Sequence, residues 1–224
     1  MVLRRIGAYI IDMIIIFIAI SIVGLFMPRD SKLENDLTNQ INDIFNMKDV
    51  SNEDLEEIKS TTYELAKSGI ALSIITVAIY YLYFAVLPVY NNGKTLGKMV
   101  TKIKIKSSIS DELLLWQTSI RGMFISQYLF EAVDLILIVM LSKKEYFNIS
   151  TPLSNVQTIL FVVCFLSIIF NKGTGIHDYF GKTVVILDED DDREDTRADE
   201  WKEKNKKVGI NSDRVKNHTK RKGE

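Results

Sequence analysis

A chain of 224 residues with a formal net charge of −1 makes no electrostatic case for binding nucleic acid. One cysteine, Cys164, and two histidines leave no internal disulfide and no zinc site. At 47% hydrophobic and 25% charged the averages resemble a soluble domain, yet the apolar residues fall into four long blocks with the charges between and after them.

The first block is Ile6 to Met27, with Asp12 its one charge. A helix rises about 1.5 Å per residue and about 30 Å of hydrocarbon must be crossed, so roughly 20 apolar residues make a span. Arg4 and Arg5 precede the block as they would a signal peptide. The stretch is longer than the usual h-region of about 7–15 residues and no A-x-A site follows, which predicts a retained helix. The next segment, residues 28–68, holds ten acidic and five basic residues. Leu33, Leu37, Ile41, Ile44 and Phe45 recur at helical spacing, and Ser51 with Asp54 resembles a capping box before Leu55, Ile58 and Leu65. Two helices are expected there, packed beneath the spans with a solvated acidic face; a cation-collecting mouth is the sharper alternative.

The second span is Gly69 to Pro88, without a charge. In residues 89–122, Asn91-Asn92-Gly93 reads as a turn and Lys102-Ile103-Lys104-Ile105-Lys106 alternates like a strand. The third span is Met123 to Leu141, carrying Glu131 and Asp134. The fourth is Pro152 to Phe170, with Thr151 suited to N-cap it and Pro152 to its first turn. Gly173-Thr174-Gly175 then permits a sharp exit. Thr183 to Leu187 is a second short strand, able to pair with the first and set lysines towards anionic headgroups. The tail, 188–224, has twelve acidic and eleven basic residues with little apolar content, so it is expected to stay unfolded, as a solvated tail or a docking segment.

Lysine and arginine counts set orientation. Arg4 and Arg5, the six basic residues of 89–122, and Lys172 with Lys182 total ten on one side; the other has seven. Both termini are therefore expected in the cytoplasm of a multi-pass cell-membrane protein. The predicted fold is all-α and transmembrane: about four spans within residues 1–187, a small cytoplasmic β element and a disordered tail.

Two segments echo a phosphate loop and fail its spacing. Gly93 to Lys98 has three residues between its glycines and ends before Met99; Gly175 to Thr183 has five between its glycines. With no nucleophile–base pair either, the chain is not expected to be an enzyme, and no cofactor is implied.

Ionisable side chains at membrane depth cost about 2.5–3.5 kcal/mol on insertion scales, so Asp12, Glu131 and Asp134 are functional candidates. Gln127, Glu131 and Asp134 follow i, i+4, i+7 spacing and form a polar stripe. Counted from Arg5, Asp12 lies about 10 Å deep; counted from Arg121, Glu131 lies about 15 Å deep, so the two can meet. Carboxyls so placed can pass protons or hold a small monovalent cation, helped by Gln127 or by Tyr80, Tyr81 and Tyr83. The competing reading is structural, a carboxyl paired with arginine or hydrogen-bonded between helices.

Arg5-Ile6-Gly7-Ala8-Tyr9-Ile10-Ile11-Asp12 resembles the opening of the RDD family, named for one arginine and two aspartates. Gly93, Thr95, Gly97 and Lys98 resemble its segment after the second span, with Ile103-Lys104-Ile105 as the strand that follows. Ser119-Ile120-Arg121 looks like its next arginine. His177, Asp178, Gly181, Thr183 and Val185 are similar to its closing element, where Asp178 takes the place of the second aspartate. The resemblance covers about residues 1–187; the long acidic segment and the charged tail depart from it. It implies a multi-span membrane protein, with cation–proton exchange proposed for some relatives and membrane-protein quality control for others. On this reading Asp178 locks an arginine, Arg5 or Arg121, and His177 as a proton relay is the lesser role. Two functions stay open. One is an exchanger of protons and cations, or small-solute transporter, which with four helices calls for a homo-oligomer. The other is a non-transporting scaffold or assembly partner in the bilayer.

Overall fold

The computed structural model describes residues 1–28, 30–47, 49–171 and 174–188. The expectations for the tail beyond Asp188, and those resting on Lys172 and Gly173, lie outside these residues. Apolar composition makes the long helices. The first block folds as α1 (Val2–Leu25). The second is α4 (Ile70–Tyr81), a π-helical turn at Leu82–Val86 and α5 (Leu87–Tyr90), together one stretch of 21 residues. Between them lie α2 (Ser31–Asn46) and α3 (Asn52–Ser68). Each begins on a side-chain cap. Asp30 accepts from the Leu33 amide at 3.2 Å, and Ser51 exchanges bonds with Asp54, Oγ accepting from its amide at 3.2 Å and the Ser51 amide donating to its carboxylate at 2.9 Å. Gln40 donates to Glu57 at 3.0 Å and ties the two helices together.

The chain continues through α6 (Leu96–Val100), β1 (Ile103–Ser107), α7 (Leu115–Ile125), α8 (Tyr128–Met140), α9 (Lys143–Phe170), α10 (Ile176–Gly181) and β2 (Thr183–Leu187). The strands pair antiparallel, Ile103 opposite Leu187 and Ser107 opposite Thr183. The turn before α6 needs Gly93 at φ +78°, because a Cβ there would lie 1.9 Å from the Ile105 carbonyl oxygen.

Two expected boundaries move. The third apolar block is not one helix. It breaks at Ser126–Gln127, where Gln127 sits in the left-handed region at φ 57°, so α7 and α8 reach membrane-spanning length only as a broken pair. The fourth helix starts nine residues before Pro152. Ser142 begins it, its amide and Oγ donating to Glu145 at 3.2 and 2.7 Å, and Pro152 lies inside α9. Thr151 is therefore not an N-cap. Proline removes one backbone donor, and the remaining turns carry the helix past it. Among the described residues three helical stretches are long and apolar enough to cross a membrane, or four with the broken pair counted. Only 6–17% of the residues in their apolar windows are buried inside the protein, so these faces suit lipid.

The chain forms two compact units. Among the described residues the first comprises Met1–Ile14, Tyr81–Ser126 and those from Val162 to Asp188. Its apolar core is Ala8, Ile103, Ile105 and Val185, the inner face of the β pair set against α1. Phe124 stacks on Phe180 at 5.3 Å between α7 and α10. The second unit comprises Ile15–Tyr80 and Gln127–Phe161. Tyr63, Ile138 and Tyr146 form its core; the Tyr63 hydroxyl donates to the Leu141 carbonyl at 2.8 Å and its ring meets Tyr146 edge-on at 5.6 Å.

Candidate functional site

The first unit gathers the polar residues of its segments around two carboxylates. Asp12 faces inward from α1 and is 1% exposed. Its Oδ1 accepts from the Tyr83 hydroxyl at 2.6 Å and from the Gly97 amide at 2.7 Å; its Oδ2 accepts from Thr95 Oγ1 at 2.6 Å. The Gly97 amide is available because first-turn amides lack an intrahelical acceptor. Lys98 Nζ donates to Thr95 Oγ1 at 3.0 Å and stands 3.6 Å from Asp12 Oδ2. Gly97 allows this approach: a Cβ there would come 2.2 Å from the Ala8 carbonyl oxygen. Burial pushes the Lys98 ammonium down to about 8; Asp12 works against that shift, and Arg121 and Arg5 add to it.

The second carboxylate is Asp178 on α10. It pairs with Arg5 from α1 and with Arg121 from α7, and accepts the Gly175 amide at 2.8 Å. Arg121 also donates to Thr183 Oγ1 at 3.3 Å. His177 Nε2 lies 3.3 Å from an Arg5 guanidinium nitrogen. Guanidinium only donates, so Nε2 accepts and the imidazole proton sits on Nδ1. Burial, then Arg121, Arg5 and Lys98, hold His177 well below its usual range, so the ring stays neutral at physiological pH. Gln117, fully buried on α7, donates to Ser107 Oγ and to the Lys182 carbonyl, each at 2.9 Å, and anchors the β pair beside the cluster. A cavity of about 60 Å³ adjoins Arg5, Asp12, Lys98, Arg121 and His177.

The second unit holds the other sequence candidates. Asp134 accepts from the Tyr146 hydroxyl at 3.0 Å, and Glu131, which is exposed, accepts from Gln157 at 3.4 Å. Gln127 precedes α8 and donates to the Gln157 carbonyl at 2.9 Å, so the expected three-residue stripe reduces to Glu131 and Asp134 on one helix. Both line a hollow of about 350 Å³ with Tyr146, Ser150, Asn155 and Gln157. Asp12 belongs to the first unit and Glu131 to the second, and the Asp12 partners named above all lie in the first.

Arg5, Asp12, Gly93, Thr95, Gly97, Lys98, Arg121, His177, Asp178, Gly181 and Thr183 all fall in the first unit. Gly181 permits α10 to approach α7, since its Cβ would lie 2.9 Å from the Gln117 carbonyl oxygen. Sequence reasoning missed Gln117, although it lies four residues before Arg121 and so on the same helical face. It also missed that Lys98 is the cation beside Asp12; 86 residues separate them, and no local pattern announces the pairing. Among the described residues no cluster of histidine, cysteine and carboxylate could hold a metal ion.

A family model described as RDD family matches residues 1–182. No curated protein and no solved structure matches the chain.

Proposed function

The chain belongs to the RDD family of membrane proteins, and from that premise we propose that it exchanges a proton for a small monovalent cation at the Asp12–Lys98 pair. The observation that carries this reading is a buried ammonium 3.6 Å from a buried carboxylate, beside a cavity. Lys98 and a metal cation compete for the same negative charge. When Lys98-NH3⁺ releases its proton, Asp12 is left uncompensated, and one monovalent cation restores the balance with Asp12, Thr95 and Tyr83 oxygens as ligands. Return of the proton to Lys98 expels the cation. One charge replaces one charge, so the pair stays near neutral throughout. The lysine-rich 89–122 segment sets this pair towards the cytoplasm, with both termini on that side of the cell membrane. Four helices make a short path, and a homo-oligomer completes it.

Sodium-, potassium- or lithium-driven proton flux in proteoliposomes tests the proposal. Flux is expected in the native chain and background leakage in Asp12→Asn and Lys98→Met, both checked for native elution in detergent. The sign of its pH dependence follows from Lys98. Below about 8 the ammonium occupies the site; as pH rises through that value the site opens, so cation uptake should increase from pH 7 to pH 9. Loss of flux in Glu131→Gln as well would carry the path into the second unit. No flux with any of the three cations would sink exchange for those ions.

A second reading has its own support. Asp12 has three hydrogen-bond donors and an ion-pair partner, as a residue that fixes packing would. A non-transporting scaffold is the function left if Asp12→Asn changes abundance or association and the native chain moves no ions.

A further inference from the structure

The buried cluster of the first unit carries surplus positive charge and two buried donors without partners; Asp178 Oδ1, an acceptor without a hydrogen bond, is ion-paired with Arg121. Arg5, Lys98 and Arg121 supply three cations, and Asp12 and Asp178 two anions, which leaves +1 with His177 neutral. The five side chains of these charges are between 1% and 8% exposed, so solvent does little to spread the surplus. Two buried nitrogens in the cluster have no partner among the described residues, Arg121 Nε and His177 Nδ1. Both are donors. Nε of a guanidinium always carries hydrogen, and Nδ1 carries the imidazole proton because Nε2 accepts from Arg5. Buried donors are expected to be satisfied, and what satisfies two donors in a positive field is a negatively charged acceptor. Arg121 and His177 both line the cavity of about 60 Å³, as do Arg5 and Lys98. About 10–15 Å³ of such space holds one water, so the cavity has room for a small ion. Asp12 and Tyr9 line it as well, and the remaining side chains are apolar, including Phe84, Ile125 and Ile168, which suits a weakly hydrated ion.

We propose that this cavity binds one small monovalent anion of the chloride class, held by Arg121, His177 and Lys98. The cavity is shared with the cation site, since Asp12 and Lys98 both line it, and the anion differs in using the donors of Arg121 and His177.

The test is thermal unfolding of the full chain in nanodiscs of zwitterionic lipid at pH 6.5, with sodium chloride replacing sodium gluconate at constant ionic strength. A ligand of the folded state raises stability with the logarithm of its concentration above the dissociation constant, so the midpoint should climb by a few degrees per tenfold rise in chloride. Bromide should act alike and sulfate should not. The climb should vanish in Lys98→Met, which removes the surplus charge, and in Ile168→Phe, which fills the cavity from a half-buried position. A native chain with no chloride dependence overturns the proposal and leaves water as the partner of the two donors. A dependence that persists in folded Lys98→Met and Ile168→Phe overturns it too, since the ion then binds elsewhere. If either variant fails to fold, the native titration and its selectivity against sulfate still decide. Exchange flux is not needed for any of these readouts, so failure here and failure of cation exchange are separable.

Discussion

Asp178→Asn is expected to abolish accumulation of folded protein. Among the described residues Asp178 is the carboxylate that Arg5 and Arg121 share, and all three side chains are buried. Replacing a buried ion pair by apolar groups can be neutral, but removing one partner alone leaves charge uncompensated and costs about 3–5 kcal/mol. Here one substitution removes the charge that two guanidiniums share and turns an amide NH2 towards one of them. The one remaining acceptor oxygen cannot serve Arg5, Arg121 and the Gly175 amide as two carboxylate oxygens do. A domain stable by about 5–15 kcal/mol keeps little margin after such a loss. Native elution in mild detergent and resistance to limited proteolysis are the readouts, with Asp178→Glu as the charge-conserving control. Wild-type yield and protease resistance in Asp178→Asn would show that the two arginines are compensated some other way.

Gly97→Ala should be the second severe change, for a reason of space. The added methyl would sit 2.2 Å from the Ala8 carbonyl oxygen, 2.7 Å from Asp12 Oδ1 and 2.8 Å from its carboxyl carbon. One obstacle is backbone, so no rotamer relieves it; α6 must move away from α1. Overpacking of this kind costs about 1–3 kcal/mol or more, and here the movement also pulls the Gly97 amide and Thr95 from Asp12. The expected result is a lower unfolding midpoint together with loss of exchange. Alanine tolerated at 97 with native stability would mean that α6 does not approach α1 as closely as described.

What the sequence discloses and what it hides divide by range. Local patterns locate α1, the Ser51–Asp54 cap of α3, and both strands; Thr183–Leu187 is placed to the residue. Each depends on apolar length, a three-residue spacing or short alternation. Pro152 misleads because proline is a common helix starter, and the polar run from Lys143 to Thr151 resembles a loop; the Ser142–Glu145 cap shows where the helix begins. The break at Gln127 carries no glycine or proline, and nothing local forecasts a left-handed glutamine. At the site, Asp12, Arg5 and Asp178 stand out as charges flanked by apolar sequence or by the family's motif. The partner of Asp12 does not. Lys98 reads as one lysine among five in a basic segment, and only folding, by way of Gly97, buries it beside a carboxylate.

The central claim is that Lys98 carries the exchanged proton, and its titration tests that claim directly. The Lys98 ammonium can be followed by nitrogen-15 NMR of selectively labelled chain in nanodiscs, in a choline gluconate buffer and again with sodium. The account predicts a midpoint near 8 without sodium, well below the ordinary lysine value of 10.5, and a lower one when sodium competes for Asp12. A midpoint at the ordinary value, or one that sodium does not move, would contradict it.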